Sequence, residues 1–99
     1  MINISHNEPK RPTVAQTNVS VAATSTAVLA ANGSRSYVLL QNISDTDIYF
    51  RFVDAATTSS FLLVANGGSW ESPGLVCPTA AINAIHASTG TKALAVVEG

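Results

Sequence analysis

Residues 35–52 read RSYVLLQNISDTDIYFRF. Two runs of β-branched, aliphatic and aromatic residues flank a short polar knot, Ser44-Asp45-Thr46-Asp47. Strands favour the first kind of residue, and Asp and Ser bend a chain because their side chains bond the nearby backbone. The pattern predicts two antiparallel strands joined by a tight turn. The same grammar recurs along the chain. Asn32-Gly33, Asn66-Gly67-Gly68, Pro73-Gly74 and Thr89-Gly90 punctuate short strand-like runs. Counted together with the Ser44–Asp47 knot and the polar 54–60 stretch, turn signals recur at roughly 8–12 residues, the rhythm of a sandwich or barrel. The expected fold class is all-β: an antiparallel β-sandwich or jelly-roll-like domain with an extended N-terminal arm.

Within that frame the runs can be read one at a time. Val19 and Val21 alternate with polar or small residues, as a half-buried strand requires. Thr24 to Ala31 mixes helix-favouring alanines with strand-favouring Thr and Val, and the Asn-Gly that follows at once argues for a strand entering a hairpin. Arg35 to Asn42 is nearly continuous in apolar residues, which predicts a central strand covered on both faces. Ile48, Phe50 and Phe52 share one face of the next strand, with Tyr49, Arg51 and Val53 on the other. Leu39, Ile48, Phe50 and Phe52 are the expected core. Asp54 to Ser60 reads as a small polar loop, and Phe61 to Val64 and Ser69 to Ser72 as brief strands. Ile82 to Ala87 and Lys92 to Val97 form a final strand pair around Thr89-Gly90.

Ninety-nine residues suffice for one domain, here 17–99, preceded by an arm over 1–16. The arm carries Pro9 and Pro12, which lack a backbone donor and hold their predecessors extended. Ile2, Ile4 and Val14 are apolar anchors in it, and Lys10, Arg11 and Pro12 lie between them. These six residues are the expected contacts with a partner, unless the arm is simply a disordered tail. Only 11% of the chain is charged, against a usual ~25%, so the exterior must be largely Ser, Thr, Asn and Ala. That surface suits a protein packed against copies of itself or another partner. It also fits a Thr/Ser-rich monomer.

A net charge of −1 without a basic cluster argues against a nucleic-acid partner. No run approaches the ~20 apolar residues of a membrane span, so no membrane partner is expected. The N-terminus lacks the apolar stretch of a secretory signal. Cys77 stands alone, which excludes an internal disulfide.

The residues that carry chemistry are sparse. His6 and His86 have no partner at metal-ligand spacing, and Cys77 has no second thiol. Asp45-x-Asp47 has calcium-type oxygens, but the pair also suits a plain turn. No Gly-x-Ser-x-Gly elbow and no phosphate loop occur. Asn-x-Ser matches at Asn3, Asn18, Asn32 and Asn42 reflect composition when no secretory signal precedes them. Trp70 is the one tryptophan: a sugar-stacking platform in one reading, an edge-packing core residue in the other. The expectation is a non-enzyme with no cofactor, no metal and no small-molecule substrate.

The run Ser36 to Tyr49 resembles small virion proteins of tailed bacteriophages. These carry a Leu-x-Gln-Asn-x-Ser strand and turn followed by Ile-Tyr, here Leu39 to Ser44 and Ile48-Tyr49. They then show a Gly-Gly-Ser segment, here Gly67-Gly68-Ser69, and end in an Ala-rich strand pair closing on Val-x-Glu, here Val96-Val97-Glu98. The resemblance spans about residues 19 to 98. It implies a structural virion protein of the capsid cement (decoration) type. Its partners would be the major capsid protein and its own copies, as a dimer or trimer. Its place would be the capsid exterior, after synthesis in the bacterial host cytoplasm. A head–tail connector or tail adaptor is the alternative within that class, and a carbohydrate-binding host-attachment module the alternative outside it.

Overall fold

The computed structural model describes residues 15–74 and 76–99, so the arm contacts Ile2, Ile4, Lys10, Arg11, Pro12 and Val14 lie outside the described residues. The strands are β1 (Ala15–Val21), β2 (Thr26–Leu29), β3 (Val38–Asn42), β4 (Ile48–Phe52), β5 (Phe61–Leu63), β6 (Ser69–Glu71), β7 (Ile82–His86) and β8 (Lys92–Glu98). They form two four-stranded sheets, ordered β1-β8-β3-β6 and β2-β7-β4-β5. Every pairing is antiparallel. Two such sheets with eight strands threaded in this order make a jelly roll.

Only the β4–β5 connection stays within one sheet; every other connection passes to the opposite sheet. This corrects three hairpin expectations. β3 and β4 flank the Ser44–Asp47 turn, yet β3 pairs with β8 and β6 while β4 pairs with β7 and β5. The same holds across Asn32-Gly33, where β2 pairs with β7, and across Thr89-Gly90, where β7 and β8 lie in different sheets. The physical reason is local degeneracy. A hairpin and a corner between packed sheets both need a sharp polar reversal, and turn chemistry alone does not say which.

β3 is also buried on one face only. Val38, Leu40 and Asn42 point inward, whereas Leu39 is half-buried on the outer face with Gln41. Leu39 is therefore replaced in the core by Leu40, which is fully buried. In a two-layer sandwich each strand has one inner face, so an unbroken apolar run does not imply two. Ile48 and Phe50 are buried, and Phe52 is half-buried and packed against the core cluster. The core is completed by Val21, Val28, Val38, Leu63, Ile82, Ala84, Leu94 and Val96. The first strand begins at Ala15, two residues before the expected domain boundary, and β2 is shorter than the expected Thr24–Ala31 run.

Arg35 precedes β3 and its side chain is fully buried. Its Nε donates to Glu98 Oε2 at 2.7 Å, Nη1 to the carbonyls of Pro78 and Ala80 at 2.8 and 2.9 Å, and Nη2 to that of Ala30 at 2.7 Å. One guanidinium thus fastens the end of β8 to the segments after β2 and before β7.

Candidate functional site

The β4–β5 connection builds the most differentiated surface. It leaves β4 at Val53, whose φ of 70° is left-handed, a rare state for a β-branched residue. Val53 N–H donates to the Ala81 carbonyl at 2.8 Å, which fixes this departure. The chain then crosses the outer face of the β2-β7-β4-β5 sheet. Asn83 of β7 donates from Nδ2 to the carbonyl of Asp54 at 2.8 Å, and Ala56 N–H donates to Ser25 Oγ, beside β2, at 2.8 Å. Ala56 is buried in the process. The return is folded by the Thr57 and Ser60 side chains: Thr57 N–H donates to Ser60 Oγ at 3.0 Å and Ser60 N–H to the Thr57 carbonyl at 3.0 Å. A polar loop in the sequence is thereby a strap whose first half, 53–56, is bonded to the rest of the fold and whose return, 57–60, is bonded to itself.

Beside the 57–60 return lies a hollow of about 340 Å³, lined by Arg51, Thr57, Ser59, Ser60 and Phe61. Arg51 points outward because its neighbours Phe50 and Phe52 point in. Its Nη2 meets Asp54 Oδ2 at 3.3 Å, long for a charge-assisted bond, and both side chains are largely exposed. Phe61 lies opposite Phe50 on the edge strand, with ring centroids 5.4 Å apart, yet remains 60% exposed. The Phe61 ring thus belongs to the core side of the sheet with Phe50, whereas Arg51 stands on the outer side; what the hollow gathers is one cation and the hydroxyls of Thr57, Ser59 and Ser60. A second, apolar groove of about 230 Å³ runs between the sheet edges at β1 and β2, lined by Thr17, Val19, Val28, Leu29, Val96 and Glu98.

The candidates singled out in the sequence sit elsewhere. Trp70 of β6 turns inward and packs on Phe50 and Phe52 at 5.6 and 5.4 Å, half-buried against the core. His86 is buried; Nε2 bonds the Gly90 carbonyl at 2.7 Å and Nδ1 accepts from Ser88 N–H at 3.0 Å, which holds the 86–90 turn. Asp45 pairs with Lys92 Nζ at 3.1 Å, and Asp47 accepts from Ala65 N–H at 2.8 Å. The bond from Lys92 holds the Asp45 carboxyl below its ordinary range. Tyr37 Oη donates to Glu71 Oε2 at 2.6 Å, and that bond pushes the phenol above its ordinary value. Cys77 is half-buried and touches the core. Among the described residues no three His, Cys, Asp or Glu side chains gather as a metal site would require.

The strap and Phe61 escaped the sequence reading. Their one signal was the run of hydroxyls between Thr57 and Ser60, which composition alone marks as a loop. The sequence matches no family model, and comparison with curated proteins and with solved structures finds no match.

Proposed function

We propose that this protein is a structural component of a tailed-bacteriophage virion, a capsid cement protein that binds the major capsid protein and stabilises the head from outside. The observation that carries this reading is the outer face of the β1-β8-β3-β6 sheet. Alternation along the strands places Gln16, Asn18 and Ser20 of β1, Ala93, Ala95 and Val97 of β8, Leu39 and Gln41 of β3, and Ser69 and Glu71 of β6 on it. Among these, Glu71 is the single charge, and Tyr37 engages it. A broad sheet face of amides, hydroxyls, alanine, Leu39 and Val97 with one carboxylate can be covered by a coat protein with little cost of desolvating ions. β1 lies at the margin of this sheet and continues from the arm, so body and arm would grip two places at once. Two linked contacts raise effective concentration and make modest individual affinities sufficient. Self-association as a dimer or trimer would multiply the effect. A jelly roll by itself does not specify function, and the resemblance of the Leu39–Tyr49 region to small virion proteins supports the same class.

The test mixes the full chain with heads assembled from coat protein alone and locates it by electron cryomicroscopy. Many copies spread over the outer lattice, seated on the β1-β8-β3-β6 face, are expected. Density at a single vertex would instead make it a connector, and no density would remove the reading. Lysines placed on the face, as Asn18→Lys with Gln41→Lys, should weaken binding about tenfold or more through unpaired buried charge.

A further inference from the structure

We propose that residues 2–5 of a second copy add a strand to the free edge of β1 and seat Ile2 and Ile4 in the apolar groove between β1 and β2. The inference stands apart from capsid binding, because this contact needs no coat protein. Among the described strands, β1, β2, β5 and β6 lie at sheet edges. Natural edges are blunted by shortness, bulges, charge or proline. β5 and β6 have three residues each, and β2 has four with a register shift against β7. β1 has seven, paired with β8 in unbroken register, and contains neither a charged residue nor a proline. It is the long, regular edge of the sandwich without such protection, and an added strand is what an edge of this kind accepts.

The groove fixes what that strand must carry on its inner face. It holds about 230 Å³, with Val19, Val28, Leu29 and Val96 in its walls. That is below the ~300–1,000 Å³ of small-ligand sites and suits a pair of branched aliphatic side chains. Thr17, opposite buried Val96, lies on the inner face of β1 yet is exposed, and Val19 and Leu29 are only half-buried. A strand laid beside β1 covers them. Residues 2–5, which lie outside the described residues, read Ile-Asn-Ile-Ser, and residues 17–20 of β1 read Thr-Asn-Val-Ser. The shared alternation sends Ile2 and Ile4 toward the groove and Asn3 and Ser5 to the outer face, where they extend the row of Gln16, Asn18 and Ser20. Residues 6–14 separate this segment from β1. Pro9 and Pro12 hold Glu8 and Arg11 extended, so this connection spans up to about 30 Å. Hairpin loops, by contrast, run to about 2–5 residues. The connection thus suits a neighbour's edge better than its own, and reciprocal exchange closes a dimer with both pairs of isoleucines seated.

The test is sedimentation velocity on the full-length protein without coat protein, joined to amide hydrogen exchange read by NMR. A concentration-dependent dimer is expected, with protection at the alternate β1 amides that face the free edge. Ile2→Asp combined with Ile4→Asp should raise the dimer Kd about a hundredfold or more. The same pair should speed exchange at those β1 amides about tenfold or more and leave the amides of β3 and β8 unchanged, which shows that the sandwich stays folded. Thr17→Glu, an exposed position in the groove, should weaken the dimer about tenfold or more by burying an unpaired charge. A monomeric wild type overturns the proposal, including one whose β1 edge is protected by its own arm. A dimer unmoved by the paired aspartates, or β1 exchange unchanged by them, overturns it as well.

Discussion

The side-chain amide of Asn42, in β3, donates to the main-chain carbonyl of Leu63, in β5, at 2.9 Å, and so ties one sheet to the other. The same nitrogen donates to the Thr46 carbonyl at 2.7 Å, and Oδ1 accepts both the N–H and the hydroxyl of Ser44 at 3.0 and 2.7 Å. Asn42 is wholly buried, and its main chain also bonds both ends of the Gly67-Gly68 turn. Asn42→Ala strands several buried polar groups at once, each worth about 1–3 kcal/mol when left unpaired. The expected loss is about 3 kcal/mol or more, read from the denaturant midpoint. Asn42→Asp should be comparably harmful despite its matching shape, because a carboxylate donates to neither carbonyl. Retained stability in Asn42→Asp would show that the amide donors do not matter.

Arg35 is a second such hub, and its removal should be felt at the far end of the chain. Arg35→Met fills much of the space but leaves the carbonyls of Ala30, Pro78 and Ala80 without their donor and Glu98 without its cation. Breaking a buried ion pair from one side costs about 3–5 kcal/mol. Glu98→Gln should cost less, since that side chain keeps a third of its exposure and an oxygen acceptor. A double-mutant cycle by chemical denaturation measures the coupling; additive losses would mean the carbonyl bonds carry Arg35 alone.

What was legible in the sequence was what depends on short-range pattern. Period-two alternation placed Ile48 and Phe50 inward, and turn residues marked nearly every strand boundary. What stayed hidden was set by long-range pairing. The sequence Ser44-Asp45-Thr46-Asp47 is compatible with a hairpin, and only the partnership of β3 with β8, more than forty residues on, makes it a corner. Leu39 and Leu40 are alike as residues; register against Val97 and Val96 decides which is inside. The hollow was invisible for the same reason. Arg51, Ser60 and Phe61 become neighbours only because β5 folds back on β4 and the strap crosses the sheet.

Val53 is the place where the fold stores strain at a solvent-exposed position, 68% open. Holding a β-branched residue at positive φ costs about 1–3 kcal/mol. Glycine adopts that state freely but gives back about 0.5–1 kcal/mol in unfolded-chain entropy. Val53→Gly should therefore stabilise the domain by about 1 kcal/mol, a rise of roughly 4–8 °C in Tm for a domain of this size. Val53→Pro should do the reverse, because proline fixes φ negative and removes the N–H that bonds Ala81. Calorimetry on the two variants reads opposite signs if the strain is real, and the same sign if it is not.

The Asp45–Lys92 pair sets a pH dependence whose direction follows from its geometry. Lys92 donates to Asp45 Oδ1 at 3.1 Å and the Thr46 hydroxyl donates to the same oxygen at 2.9 Å. Both bonds favour the ionised carboxylate, so the folded protein holds Asp45 below its ordinary range, the Lys92 bond being the larger cause. A lowered folded value means that the unfolded chain binds the proton first as acid is added. The pair's contribution is then complete above the ordinary carboxylate range and disappears as pH falls through the lowered value. Asp45 is largely exposed, so the effect is small and screened by salt. Melting curves of the wild type and Asp45→Asn should differ at neutral pH in dilute buffer. The two should converge at low pH, and also at neutral pH in molar salt. A gap that did not narrow on acidification or in molar salt would assign the difference to the Thr46 bond and turn geometry instead of to charge.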